Sequence, residues 1–244
     1  RGSVTLAFQP VVQATDPSRI AFHEGFVRVV DDRGEIIPAQ AFVTHVEETE
    51  YGRILDCLAL QLGLAELRRA PALRLAINIS ARSVGYRRWQ AILDRGLRDD
   101  PTLAERLILE VTETSAIQVP ELLVDFMTRL QRRGISFAID DFGAGYTALR
   151  HFKQFFFDVL KIHDQFVRGI AGDPDNQVLV RAMVAIAEQF DMITVAEAVE
   201  TYEDACTLEA LGVDCLQGYF FGAPTVHPDW DHDADPHDAG RFTA

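Results

Sequence analysis

The residues of this chain that carry chemistry are carboxylates, amides and one lysine, set at intervals in short apolar runs. Glu24 lies within residues 20–29, Asn78 ends 74–78, and Glu110 sits in Leu109-Glu110-Val111-Thr112-Glu113. Asp140 and Asp141 lie at the end of 136–140, Lys161 is inside 159–162, Glu197 follows 193–196, and Gln217 closes 214–217. Taken singly, most have a plain reading. An Asp after a strand is ordinarily a helix cap, and an Asn or Gln there is ordinarily a turn residue. Lys161 is different, because an ammonium in Val159-Leu160-Lys161-Ile162 costs several kcal/mol to bury unless it has partners. Five carboxylates brought to one place also repel. At an effective dielectric of about 20, two like charges ~5 Å apart cost roughly 3 kcal/mol. One lysine cannot neutralise them all, so further cations are expected. Asp, Glu and Asn are hard oxygen ligands that suit Mg²⁺ or Mn²⁺ and not zinc. The adjacent pair Asp140-Asp141 can reach two ions, one carboxylate bridging, which is the layout for two-metal phosphoryl chemistry.

These residues need a scaffold that gathers strand ends. Strands are expected at 4–9, 20–29, 74–78, 107–112, 136–140, 159–162, 193–196 and 214–217. Between them the apolar spacing is helical: Leu58, Leu62 and Ala65; Leu122, Phe126 and Leu130 after Pro120; Val180, Val184 and Ala187; Leu208 and Leu211. Gly134 and Gly212 stand where helices should stop. This rhythm predicts an α/β fold, a TIM-like (β/α)8 barrel. The link between the first two runs, through Asp16-Pro17-Ser18, is too short for a crossover helix, so those strands are expected to pair antiparallel. In such a barrel the C-terminal strand ends open on one face, where the polar groups converge. The expected domain is 1–226, and residues 227–244, acidic with His227, His232 and His237, are expected to form a flexible tail.

The bulk composition fits one globular barrel: 244 residues, 48% hydrophobic and 25% charged. A net charge of −14 argues against nucleic acid and against an anionic membrane surface as partners, while a small anion remains compatible if metal ions supply positive charge. Cys57, Cys206 and Cys215 are scattered and read as reduced thiols of a cytoplasmic protein. No apolar run is long enough to span a bilayer. The chain opens Arg1-Gly2-Ser3 and is read as part of a larger protein, with a sensor or membrane anchor upstream.

The same residues carry a family likeness. Phe8-Gln9-Pro10, Glu24-Gly25-Phe26-Val27-Arg28, Asn78-Ile79-Ser80, Glu110-Val111-Thr112-Glu113, Asp140-Asp141-Phe142-Gly143-Ala144-Gly145-Tyr146, Leu160-Lys161-Ile162, Ala196-Glu197-Ala198-Val199-Glu200 and Gln217-Gly218-Tyr219 resemble, in this order, the EAL domain family. The resemblance implies metal-dependent hydrolysis of the bacterial second messenger c-di-GMP to linear pGpG, with two Mg²⁺ or Mn²⁺ per site and a homodimer as the working form. It implies Glu24, Asn78, Glu110 and Asp140 as ligands of one metal, and Asp140, Asp141 and Glu197 as ligands of the second. Lys161 would orient water or neutralise charge, and Gln217 and Glu200 would act beside the site. Arg28 and Gln9 would contact substrate, and Glu113 would steady the Gly-rich loop 142–146.

Three departures from the family pattern are visible. The signature triplet reads Glu24-Gly25-Phe26. Residues 155–157 are Phe155-Phe156-Phe157, read as core in preference to a subunit or partner contact. Leu160-Lys161-Ile162 is followed by His163, where the family has Asp. Positions two apart on a strand share a face, so His163 is expected near the second metal site and to weaken or retune it, imidazole favouring Mn²⁺. Two other functions compete: a relative that binds c-di-GMP as a receptor without turnover, and an unrelated Mg²⁺ barrel enzyme of the enolase type. The complete ligand set favours the hydrolase over the first, and the ordered motifs favour it over the second.

Overall fold

The computed structural model describes residues 3–31, 33–38, 49–145 and 154–230. Tyr146, His232 and His237 lie outside the described residues. Among the described residues there are nine strands and six α-helices. The strands are β1 (Ser3–Gln13), β2 (Ile20–Val30), β3 (Ile36–Pro38), β4 (Leu75–Asn78), β5 (Leu107–Thr112), β6 (Ser136–Phe142), β7 (Val159–Ile162), β8 (Ile193–Ala196) and β9 (Cys215–Gln217). The helices are α1 (Glu50–Arg69), α2 (Arg87–Asp99), α3 (Glu113–Gln118), α4 (Pro120–Gln131), α5 (Pro174–Gln189) and α6 (Tyr202–Ala210).

The sheet runs β1-β9-β8-β7-β6-β5-β4-β2, and a β1–β2 pairing closes it into an eight-stranded barrel. From β2 through β9 the barrel neighbours are parallel. β1 alone runs the other way, antiparallel to both β2 and β9. The reversal is local in origin. Asp16 Oδ1 accepts from the Ser18 hydroxyl at 2.6 Å and the Ser18 N–H at 3.3 Å, and Arg19 N–H returns to Asp16 O at 2.9 Å. This tight Asx-type turn leaves no length for a crossover.

β3 was not expected from sequence. It is three residues long, pairs only with residues 28–30 of β2, and ends in a proline, so neither alternation nor length marks it.

Two apolar layers follow from the period-2 alternation of the strands. Outward residues such as Leu75, Leu107, Phe137 and Leu160 pack under the helices with Leu60, Trp89 and Phe126. Inward residues Val11, Phe22, Ala76, Ala138, Val159, Val195 and Cys215 plug the barrel. Phe155 and Phe157 join the outer core as expected, whereas Phe156 between them is 68% exposed. The first residues of the expected tail are docked: Trp230 lies edge-on to Phe8 and His23 at 5.2 and 4.7 Å and donates to Glu66 at 3.2 Å.

One cation holds a helix end to the barrel. Arg106 Nη1 donates to the carbonyls of Leu67, Ala70 and Leu73 at 2.7, 3.1 and 3.2 Å, satisfying the C-terminus of α1 and the turn into β4. Arg106→Met keeps the aliphatic stem and strips those bonds. It is expected to cost about 2 kcal/mol, read from urea denaturation; an unchanged midpoint would show that water replaces the guanidinium without loss.

Candidate active site at the C-terminal end of the barrel

The site is the next layer up from the barrel plug. Two residues on from Phe22, Ala76, Ala138, Val159, Val195 and Cys215 stand Glu24, Asn78, Asp140, Lys161, Glu197 and Gln217, and two on from Ile108 stands Glu110. On the reversed β1 the step runs the other way, from Val11 back to Gln9, which pairs with Glu24. Eight strands thus each present one polar group at the same height on the inner face. The alternation that seals the barrel below also aims these groups inward above.

Lys161 is the hub and is fully buried. Its Nζ lies 2.8 Å from Glu24 Oε2, 2.9 Å from Glu110 Oε2, 3.2 Å from Asp140 Oδ1 and 2.8 Å from Glu197 Oε1. Glu24 is fixed from both sides, its Oε1 by Asn78 Nδ2 at 2.9 Å and its Oε2 by Gln217 Nε2 at 2.8 Å. Gln217 Nε2 also reaches Gln9 Oε1 at 3.1 Å, and Gln9 Nε2 donates to Gly222 O at 2.9 Å. Gln9 is thus buried and in contact with Gln217.

The charges are unevenly settled. For Lys161, burial pushes the ammonium pKa down, but Asp140, Glu110, Glu197 and Glu24 outweigh it and hold the group well above the usual lysine range. For Glu24, burial pushes the pKa up, and the Lys161 ammonium with hydrogen bonds from Lys161, Gln217 and Asn78 brings the carboxyl below its ordinary value. Glu110 goes well above, through burial and the Glu24 charge, despite Lys161. Glu197 is pushed up to about 8 by burial and Asp140. Lys161 outweighs burial at Glu24 but not at Glu110 or Glu197.

The donor set fits divalent cations. Glu110 Oε1 and Asp140 Oδ1 are buried without hydrogen-bond partners, the latter close to Lys161 but out of line for a bond. Oxygens of Asp140, Asp141 and Glu197 lie within 4.8 Å of one another. Asp141 is held in the left-handed region at φ 57°, a conformation that costs about 1–2 kcal/mol outside glycine and gathers at functional sites. Glu113 begins α3 and accepts the Gly143 N–H at 3.0 Å, so it anchors the loop that follows Asp141.

Two expected residues stand apart from the hub. Arg28 is half-buried at the rim, stacked 5.6 Å from the Phe26 ring centroid and donating to its neighbour's carbonyl, Val27 O, at 3.0 Å. Glu200 is half-exposed and pairs with Arg168, outside the lysine cluster. Three supporting residues were not read from sequence: Arg168; Asp56, which accepts from Ser80 N–H and Oγ–H at 3.1 and 2.7 Å beside Asn78; and Gln165. Ser80 in Asn78-Ile79-Ser80 was a usable signal for a clamp on that loop. Asp56, on a helix distant in sequence, gave none.

The fold and this layer together define a barrel protein with a candidate hard-oxygen metal centre on its C-terminal face. The chain belongs to the EAL domain family, whose profile matches residues 1–224. It is 32% identical over 207 residues to the cyclic di-GMP phosphodiesterase PdeF of Escherichia coli, covering 83% of this chain and 28% of PdeF. The chain thus spans less than a third of that relative's length. Among solved structures, the PaMucR phosphodiesterase in complex with c-di-GMP superposes with a TM-score of 0.78 at 28% identity, over 91% of this chain and 92% of that one. The calcium and c-di-GMP complex of Klebsiella pneumoniae BlrP1 superposes with a TM-score of 0.78 at 27% identity, over 91% of this chain and 56% of that one. Among the described residues, no helix is long and apolar enough to cross a membrane.

Proposed function

We propose that this domain hydrolyses one phosphodiester of c-di-GMP to give linear pGpG, using two Mg²⁺ or Mn²⁺ ions. The observation that carries the reading is the complete polar layer around Lys161, with buried carboxylate oxygens of Glu110 and Asp140 left without hydrogen-bond partners. Similarity to phosphodiesterases and to c-di-GMP complexes supports the substrate. Glu24, Asn78, Glu110 and Asp140 would hold one ion, and Asp140, Asp141 and Glu197 the other. Bound there, such ions would supply positive charge toward the phosphoryl oxygens and lower the pKa of a water so that hydroxide is available at neutral pH.

The chain's own residues do the rest. Lys161 keeps Glu24 ionised and its oxygens in place. Gln9 braces Gln217, which holds Glu24 at a fixed angle. Arg28 offers a fork of N–H donors at the rim for a substrate phosphate. Glu113 holds Gly143 and so the approach of Asp141. Glu200, paired with Arg168, would act beside the site. Positioning and charge stabilisation supply most of the rate.

The test is conversion of c-di-GMP to pGpG by this chain in Mg²⁺ or Mn²⁺, with Glu24→Gln beside it. Turnover is expected with either ion, to vanish with a chelator, and to fall at least about 100-fold in the variant, equivalent to about 3 kcal/mol in the barrier. Tight binding of c-di-GMP without turnover in either ion would replace this reading with that of a receptor.

A further inference from the structure

His163 Nε2 stands 3.8 Å from Asp141 Oδ1, and residues 163–166, just past β7, meet Gly143, in the loop that follows Asp140 and Asp141, at two points. His163, with φ −58° and ψ 145°, stands as N-cap of the single 3-10 turn Asp164–Phe166, and its Nδ1 accepts the Gln165 N–H at 3.2 Å. Gln165 Nε2 then donates to Gly143 O at 3.1 Å. Phe166 covers the same glycine: a Cβ on Gly143 would lie 2.6 Å from the Phe166 ring and 3.0 Å from Met183 Cε, and Gly143 has φ 93°. On its other side, Gly143 gives its N–H to Glu113 at 3.0 Å. Asn176, in the first turn of α5, donates to Gln165 O at 3.2 Å and ties the turn to that helix.

We infer that this turn is a second clamp on the loop that follows Asp140 and Asp141, with Gln165 as a positioning residue and His163 as the cap that fixes it. The inference rests on the reading of the site given above. Glu113 alone holds one side of the Gly143 peptide. A strained residue such as Asp141 keeps its conformation only where the surroundings over-determine it. Gln165 secures the carbonyl that Glu113 leaves free, and Phe166 blocks lateral movement. The departure from Asp to His at 163 then has a physical account, since an imidazole nitrogen accepts the same backbone N–H that a capping carboxylate would.

The test uses the whole chain. Amide hydrogen exchange is measured without metal at Gly143 and Ala144, and Mn²⁺ affinity by calorimetry, for native protein, Gln165→Ala, His163→Ala and His163→Asp. Gln165→Ala is expected to exchange about fivefold faster at both amides and to bind Mn²⁺ about fivefold more weakly, with the melting temperature held, the factor for one neutral hydrogen bond. His163→Ala should match its exchange, and His163→Asp, which restores a cap acceptor, should return Gly143 to native protection. Native exchange and Mn²⁺ affinity in Gln165→Ala overturn the clamp. Equal loss in His163→Asp and His163→Ala overturns the cap. If native protein takes up no Mn²⁺, the proposed metal site fails, and exchange at Gly143 in the metal-free variants still decides the clamp.

Discussion

Lys161→Met protein, free of metal, is expected to lose about 3–5 kcal/mol of stability near pH 7.5, and clearly less near pH 5. Methionine keeps an unbranched side chain, one atom shorter, but removes the one ammonium that Glu24, Glu110, Asp140 and Glu197 surround within 3.2 Å. What remains is a set of buried carboxylates with no cation. The pH dependence has a definite sign. Glu197 binds its proton up to about 8 in the folded chain against 4.5 ordinarily, and Glu110 is likewise raised. Between those values the folded state holds protons that the unfolded chain has released, so metal-free stability falls as pH rises from about 4.5 to about 8. Glu24 has the opposite sign in native protein. Its carboxyl is depressed, so its contribution is present above its ordinary value and is lost as pH falls through the lower one. Removing Lys161 takes that contribution away and moves Glu24 to the same side as Glu110 and Glu197. The slope against pH should therefore steepen in the variant. Urea denaturation at the two pH values decides it, and an equal loss at both would mean that the cluster carries no net repulsion for Lys161 to relieve.

Gly218→Ala is expected to unfold the last strand junction, at more than about 4 kcal/mol. A Cβ at Gly218 would lie 2.0 Å from Val199 O and 2.3 Å from Val199 N, both backbone atoms that no rotamer change can move. The two segments are tied there by Val199 N–H to Gln217 O at 2.9 Å and Phe220 N–H to Val199 O at 3.1 Å. Ala198, immediately before, already sits at φ 54°. The substitution pushes apart the segments that present Glu197 and Gln217, so stability and site fail together. A soluble Gly218→Ala protein with a native urea midpoint would show that the 197–200 segment yields at little cost.

The barrel and its polar layer were legible because both depend on alternation. Residues 107–112, 159–162 and 193–196 are strands with the bounds read from sequence, and the inward parity that makes Ala76 and Val159 plug residues also makes Asn78 and Lys161 site residues. β1 extends beyond its expected end to Gln13, since its last residues pair with β9, a partner that local pattern cannot reveal. The supporting shell was not legible for the same reason. Asp56 holds Ser80 across 24 positions and Gln165 holds Gly143 across 22. Gln165 and Arg168 look like ordinary surface residues in a list of types. Glu200 was grouped with the site by its motif. Its pairing with Arg168 at the rim depends on a turn whose geometry no periodicity describes.

The reversed first strand sets a seam in the barrel. β1 is made first, but one of its edges waits for β9, with Val11 opposite Gln217. Gln9 and Gln217, joined across 208 positions, sit on that seam. As the chain leaves the ribosome, β1 and β2 can form their hairpin early, since only a short turn joins them. The other edge of β1 then stays unsatisfied until nearly the whole barrel has been made, and an open edge of that kind invites pairing with a neighbouring chain. Glu24 likewise lacks its Gln217 bond until closure. Assembly of the polar layer and sealing of the barrel are therefore one event, and an incompletely synthesised chain carries the acids without the arrangement that gathers them.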